Sequence, residues 1–554
     1  MNPFADALGN FPRAFCFGGP MFCRWLYLTA MFALISMSAP GCTRRTPADL
    51  TIINGPEPET LDPHVLSGIA EQRIAPALFE GLMRRNPTNA LPMPGLAERH
   101  ELTPDGRRYT FHLRPNIKWS TGEPITAEDV VFSWSRLIAP TTAARYATLL
   151  TCVTGADKLL RGEHTDFGHL GVRAINSRTV EVSLTQPTPY FLDLCALPAL
   201  AILPRQTIER LGDQWIRAKP LPCSGPYSLE DWRLNDRIRL RRNSRYWDAP
   251  AVRSSVIDLL PSESSSATLN LYETGGADIV WDRNLFPPEL APELRPPRYH
   301  TFSYLGTYFV RINTTRAPFN DARVRRAFAL GIDRERIVQR ITRGGETAAT
   351  SFTPPGCGTY TPPRSAMFNL AEARQLLAEA GFEGGRNLRP LEYLVNSGGG
   401  GGGRLHEQIA IELQAQLREH LGVSLEIRPV ETKIYYSEQS RLNYDLCRSS
   451  WLGDFNDPVT FLDIFRASNG NNRTGWNEPE YDRLLDDANR QADIGRRLGT
   501  LQQAEQLLVG TAAPIIPLYF YTGFCAFDQS RIEGIYTAQN LMDLHPLWAI
   551  SKKP

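Results

Sequence analysis

Within seven residues, Arg448-Ser449-Ser450-Trp451-Leu452-Gly453-Asp454 offers a guanidinium, an aromatic face and a carboxylate. A free peptide carries an ammonium at one end and a carboxylate at the other. Both ends lose hydration when such a ligand is enclosed, so an enclosing site must supply charges of both signs. The alternative reading of the same residues is a surface Arg–Asp pair beside a core tryptophan.

Other chemistry is weaker. Asp454-Phe455-Asn456-Asp457 has the opening spacing of a calcium loop, but Val459 stands at the sixth position, where that loop requires glycine. Asn456 and Asp457 then read as caps of a turn before Pro458 and of a helix carrying Phe461 and Leu462. The run Gly398–Gly403 satisfies GxGxxG at Gly398, Gly400 and Gly403, after a strand and before a helix. Six consecutive glycines match any glycine template, however, and Glu426 falls later than a ribose-binding acid would, so the run reads as a flexible loop. HExxH, GxSxG and GxxxxGK[ST] are absent. No catalytic group, metal or cofactor is expected.

The chain has 554 residues, enough for two or three domains. It carries 60 Lys+Arg against 59 Asp+Glu with no block of like charge, which argues against nucleic-acid or polybasic membrane binding. From Met21, Arg24 precedes an apolar run, Trp25–Met37, and then Ala39, Gly41 and Cys42. That is the layout of a secretory signal, and the run is too short to span a bilayer comfortably. A Cys after Gly41 resembles a lipoprotein signal, in which Cys42 is lipidated; Met21 then reads as the true start, with 1–20 upstream of it. Six further cysteines, Cys152, Cys195, Cys223, Cys357, Cys447 and Cys525, form no CxxC pair. An export compartment permits disulfides among them; buried free thiols are the alternative.

Local signals place the elements. Thr126 caps a helix through Val130, Val131 and Trp134, with Asp129 reaching back. Asn320 and Asp321 open another, ended by Gly331. Asn369 opens a third, with Glu372 three residues on, Leu376 and Leu377 facing inward and Gly381 stopping it. Leu391–Val395 reads as a buried strand, then the glycine loop, then a helix with Leu405, Ile409, Leu413 and Leu417 closed by Gly422, then a strand with Val423, Leu425 and Ile427. That is a βαβ unit and predicts a parallel lobe. Residues 170–185 and 226–242 alternate as antiparallel strands, the second pair turning at Asn235-Asp236.

Longer stretches carry a resemblance. They are Glu59-Thr60-Leu61-Asp62-Pro63-His64, Leu78–Leu82, Tyr109–Arg114, Lys118–Asp129, Gly225-Pro226-Tyr227, Arg245–Asp248, Pro318–Arg326 and Gly331–Arg334. From about residue 50 onward the chain resembles the peptide-binding proteins of ABC importers, family 5 of the bacterial solute-binding proteins, and within it the oligopeptide-binding members. The resemblance implies an α/β fold, the type II clamp of periplasmic binding proteins: two α/β lobes joined by a hinge, plus an inserted domain. Lobe I would comprise 43–79, 205–306 and 522–554, the inserted domain 80–204, and lobe III 307–521.

The resemblance also implies a site. Asp454 falls on the aspartate that pairs with the peptide ammonium, Arg448 on an arginine that takes the carboxylate of a short peptide, and His406 on a histidine that meets that of a longer one. Tyr146, Tyr272, Tyr304 and Trp451 fall on aromatic positions around the cleft, with Ile69 and Ser450 beside them. Some features depart from the family. The cleft disulfide of some members would need cysteines at Gly306 and Leu452, a frequent tryptophan is replaced by Thr432, and an arginine of some members is Gln439. The implied protein is no enzyme. It is a monomer of the periplasm or cell envelope, membrane-anchored through Cys42, that hands short peptides to an ABC importer permease. A murein peptide, dipeptide, signalling peptide or metal chelate is the alternative ligand, and an exported hydrolase the alternative class.

Overall fold

The structure is a computed structural model and describes residues 46–66, 68–281, 285–286, 296–365, 367–397, 401–536 and 544–554. The signal segment with Cys42, and Gly398–Gly400, lie outside the described residues. Ala48–Pro554 form one unit.

Strand β1 (Leu50–Gly55) opens the fold and is followed by helix α1 (Ile69–Leu78). Strands β2 (Ala97–Leu102), β3 (Arg108–Leu113), β4 (Val172–Asn176) and β5 (Thr179–Ser183) form a four-stranded sheet in the order β2-β3-β5-β4. Helix α2 (Ala127–Ile138) buries Val130, Trp134 and Leu137 in the same core. The Asp129 carboxylate accepts the Thr126 backbone N–H at 2.9 Å, as the sequence predicts.

The chain then builds one large sheet from β1 and from β6 (Tyr227–Arg233), β7 (Arg237–Arg242), β8 (Val256–Pro261), β9 (Ile279–Val280), β10 (Tyr299–Ile312), β11 (Leu391–Ser397), β12 (Leu425–Glu431), β13 (Leu446–Leu452) and β14 (Ile515–Phe527). The order is β12-β11-β13-β10-β14-β9-β1-β8-β7-β6, with Thr347–Ala348 pairing onto β14. Both antiparallel hairpins appear where alternation predicts them, and Asn235 takes the turn at φ +57°. The βαβ unit is present too. Strands β11 and β12 are parallel, and helix α6 (Gly401–Leu421) lies between them in the chain. Helices α3 (Ser265–Glu273), α4 (Ala322–Gly331) and α5 (Leu370–Glu379) come earlier in the chain.

The caps of α4 and α5 are the predicted ones. Asp321 accepts the Arg323 N–H at 2.8 Å and Asn369 the Glu372 N–H at 3.2 Å. Leu377 is buried, whereas Leu376 is only half-buried against the core. Helix α6 spans Gly401–Leu421, so the last three glycines of the run are helical rather than loop. Ile409, Leu413 and Leu417 form its buried stripe. Gly422 ends it at φ +70°, and a Cβ there would meet the Gly384 carbonyl oxygen at 2.3 Å.

Strands β10 and β14, of 14 and 13 residues, are long enough to serve both halves of the sheet. The β13 edge of β10 pairs over Gly306–Ile312, and β14 reaches β9 with Phe527 and Ala526. Their mutual register shifts between Ser303 and Thr307, midway along the crossing. Such an irregularity bends and twists a strand pair locally. Gly306 and Leu452 are direct cross-strand partners, and Leu452 Cδ2 lies 2.6 Å from where a Cβ at 306 would sit. Among the described cysteines, Cys195, Cys223, Cys357 and Cys447 are buried free thiols, Cys152 is a half-buried one, and Cys525 is buried.

Candidate functional site

Strand β13 carries Arg448, Ser450 and Trp451, and Asp454 follows two residues past its end. Side chains alternate along a strand, and directly paired residues share a face. Tyr308 pairs with Ser450, and Thr307 with Trp451. Arg448 and Ser450 therefore lie with Tyr308 on one face, and Trp451 lies on the other.

That division gives Trp451 a different task from a ligand-facing ring. Its indole N–H donates to the Thr460 carbonyl at 2.6 Å, while the Thr460 hydroxyl accepts the Asp454 backbone N–H at 3.0 Å. Trp451 thus fixes the loop that fixes Asp454. Asn456 and Asp457, next along, are structural. Asn456 Oδ1 accepts the Gly358 N–H at 2.7 Å, and Asp457 takes a two-pronged pair from Arg497 at 2.7 and 2.8 Å.

The Asp454 side chain is half-buried and makes no ion pair among the described residues. Burial alone pushes its carboxyl up to about 6. Tyr146 stands nearby: its hydroxyl is held above the usual phenol range by burial first and by the Asp454 charge second. That hydroxyl accepts from Gln72 Nε2 at 3.0 Å. Gln72 lies on α1, three residues after the half-buried Ile69. Three chain segments, near 70, 146 and 454, therefore meet around one acid that lacks a counter-charge among the described residues.

The opposite charge sits beside Tyr308. The Arg448 guanidinium is 5.3 Å from the Tyr308 ring centre and the His406 ring is 5.5 Å from it. Tyr519 stacks on Tyr308 at 4.9 Å. Arg448 has no carboxylate partner among the described residues, and its Nε and His406 Nδ1 are buried without a hydrogen-bond partner. Burial, then the Arg448 charge, pushes His406 down to about 3, so the imidazole is neutral at pH 7. The Arg448 carbonyl is held by Gln439 Nε2 at 3.2 Å and by the Tyr435 hydroxyl. A guanidinium, a neutral imidazole and a tyrosine wall can take a carboxylate through charge-assisted bonds.

The structure thus brings Tyr146 to Asp454 in one corner, with Ile69 a turn before Gln72 on α1, and sets Arg448, Ser450 and His406 around Tyr308 in another. It does not bring Tyr272 to either. Tyr272, on α3, is 3 % exposed, donates to the Arg298 carbonyl at 3.0 Å and packs edge-on against Tyr299 and Phe286. Tyr304 lies within the core that contains Phe302. Sequence reasoning missed Gln72, Tyr308 and Thr460. Only Thr460, in the first turn of a helix, carried a local signal, that of a capping hydroxyl.

Two corners of opposite charge lie beside a sheet crossed by two long strands. The model of the bacterial extracellular solute-binding proteins, family 5, matches residues 92–473, and the chain belongs to that family. It is 36 % identical over 481 residues to the periplasmic oligopeptide-binding protein of Salmonella typhimurium, covering 84 % of this chain and 86 % of the relative. The Escherichia coli murein tripeptide-binding protein superposes with TM-score 0.76 at 30 % identity, covering 92 % of this chain and 99 % of the other. The Haemophilus influenzae oligopeptide-binding protein in complex with RPPGFSPFR gives 0.73 at 28 % identity, covering 91 % and 98 %. The fold is the expected type II clamp, and the family is one of binding proteins rather than enzymes.

Proposed function

We propose that the protein captures short peptides outside the cytoplasm and delivers them to the permease of an ABC importer. Asp454 takes the peptide ammonium. Arg448 takes the carboxylate of a short peptide, and His406 meets that of a longer one. The observation that carries this reading is the pair of uncompensated opposite charges, Asp454 and Arg448, placed six residues apart by one strand and its exit loop. An extended peptide held through its backbone needs no particular side chains, and hydrated pockets adapt to the side chains it has.

In this reading lobe I comprises 43–79, 205–306 and 522–554, an inserted domain 80–204, and lobe III 307–521. Closure bends β10 and β14 at the Ser303–Thr307 irregularity. It expels water and strengthens both charge pairs. The protein acts as a monomer and is anchored through lipidated Cys42. A murein peptide is the second reading, favoured by the likeness to the murein tripeptide-binding protein; it keeps Asp454 in the same role.

Mass spectrometry of what co-purifies separates the two readings, and calorimetry with free and end-blocked tripeptides tests both. Free tripeptides should bind and N-acetylated ones should not. Equal affinity for the two would reject the assignment of Asp454.

A further inference from the structure

The loop Asp454-Phe455-Asn456-Asp457 is gripped from two directions. Residues of the stretch 307–521 hold it from one. The Thr460 hydroxyl accepts the Asp454 backbone N–H at 3.0 Å, Asn456 Oδ1 accepts the Gly358 N–H at 2.7 Å, and Asp457 pairs with Arg497 at 2.7 and 2.8 Å. Among the described residues no donor holds the Asp454 carboxylate itself. Its direction is therefore set through the backbone and through the residue beside it.

The other grip comes from the stretch 80–204, residue by residue. Tyr146 lies beside Asp454. Phe455, 5 % exposed, stacks on Tyr190 with ring centres 4.5 Å apart and ring planes 10° from parallel. Asp193 faces the next two residues. Burial raises its carboxyl; the Arg85 charge opposes that rise, Asp457 adds to it, and the Asn456 backbone N–H opposes it.

Tyr190 is well placed to act as a fixed wall. It leads into the short helical turn Phe191–Leu194. Phe191 is fully buried and packs against Tyr109 at 5.0 Å and edge-on against Trp134 at 6.1 Å, which anchors the turn in its own core. Asp193, on the same turn, lies 3.9 Å from Arg85. Tyr190 is left half-buried, presenting its ring to Phe455. Stacked rings hold each other in a defined orientation as well as burying area.

We propose that Tyr190 is a positioning residue of the ammonium site: by stacking on Phe455 it aims the neighbouring Asp454 carboxylate, so the site is complete only while the turn 190–194 is seated on the 454–457 loop. This rests on the assignment of Asp454 to the peptide ammonium. Tyr190 touches no ligand in this role. It acts because a backbone rotation that swings Phe455 off its partner ring also swings Asp454.

The test is a double-mutant cycle, which isolates the coupling between two side chains. Calorimetry with one free tripeptide is run on the full-length parent, Tyr190→Leu, Asp454→Asn and the double variant, with melting curves to confirm the fold. Tyr190→Leu should weaken binding roughly three- to tenfold, the range that a ring pair supports. In the Asp454→Asn background the same change should have no effect, because no carboxylate is left to aim. Tyr190→Phe, which keeps the ring, should bind as the parent does. If Tyr190→Leu does not fold, Phe455→Leu takes its place in the cycle. Equal loss in both backgrounds would show that the stack only holds the two stretches together, and would overturn the proposal while leaving Asp454 its role. An Asp454→Asn protein that binds as the parent does would remove the assignment of Asp454, and this proposal with it.

Discussion

Replacing Asp454 by Asn removes one charge and changes the side-chain volume little, and its consequences for stability and for binding run in opposite directions. Burial raises the Asp454 carboxyl from 3.8 to about 6. For an acid raised on folding, the folded state takes up protons more readily than the unfolded one. The cost is absent below the unfolded value of 3.8, grows between there and about 6, and is fully present above. Two pH units correspond to about 3 kcal/mol, an upper bound because the half-buried carboxylate keeps a solvent edge. Unliganded Asp454→Asn should therefore melt higher than the parent at pH 7.5, and the gap should close towards pH 4.

With peptide the sign reverses. Breaking one half of an enclosed charge pair costs roughly 3–5 kcal/mol, which is about 100-fold or more in affinity. The parent's affinity should fall about tenfold per pH unit below about 6, because the acid is protonated while the peptide amine stays charged up to about 8. Calorimetry with a tripeptide between pH 5 and 7.5, alongside melting curves of both proteins, reads all of this. An Asn variant that binds as the parent does, or a flat pH profile, would refute the reasoning.

Further outcomes are expected elsewhere. Arg448→Met should weaken tripeptides with a free carboxylate and leave C-terminal amides at the parent's affinity for amides; equal loss for both would mean that Arg448 only supports the tyrosine wall. Arg497→Ala strips Asp457 of its buried partner and should lower stability in urea by roughly 3–5 kcal/mol; a change near zero would show that the pair is dispensable. Glu505, fully buried and pushed up to about 7 by burial, accepts the Phe352 and Thr353 N–H groups and the Tyr360 hydroxyl, each at 2.7 Å. As an acid raised on folding it loses stability as pH rises from 4.5 through 7, so Glu505→Gln should flatten that decline in melting curves from pH 5 to 8. X-ray scattering should show compaction when a tripeptide is added; superimposable curves would count against hinge closure.

Much of the candidate site was legible as a candidate because charge and chain polarity are local facts. Arg448 and Asp454 announce themselves as opposite charges on one short segment, and desolvation makes such groups expensive wherever they are enclosed. Thr126, Asp321 and Asn369 mark helix starts because their side chains satisfy backbone donors within a turn. The spacing of Leu405, Ile409, Leu413 and Leu417 fixes one buried helix stripe. The boundary of the glycine run was misread because glycine's weak helix propensity is a prior that packing overrides, and Gly401–Gly403 continue into a 21-residue helix.

What the sequence determined by itself, then, is where elements start and stop, which strands pair locally, and which charges need partners. What only the tertiary structure decided is which distant groups answer those needs. Trp451 sits three residues from Arg448 yet faces the other side of the sheet, because β13 alternates and Thr307 lies opposite it. Gln72 and Tyr146 are 74 residues apart, Asp454 lies hundreds of residues further on, and the three meet only when the sheet is assembled. The physical reason is one of range. Caps, turns and amphipathic periods act over a few residues, whereas the desolvation of a carboxylate depends on every segment packed around it.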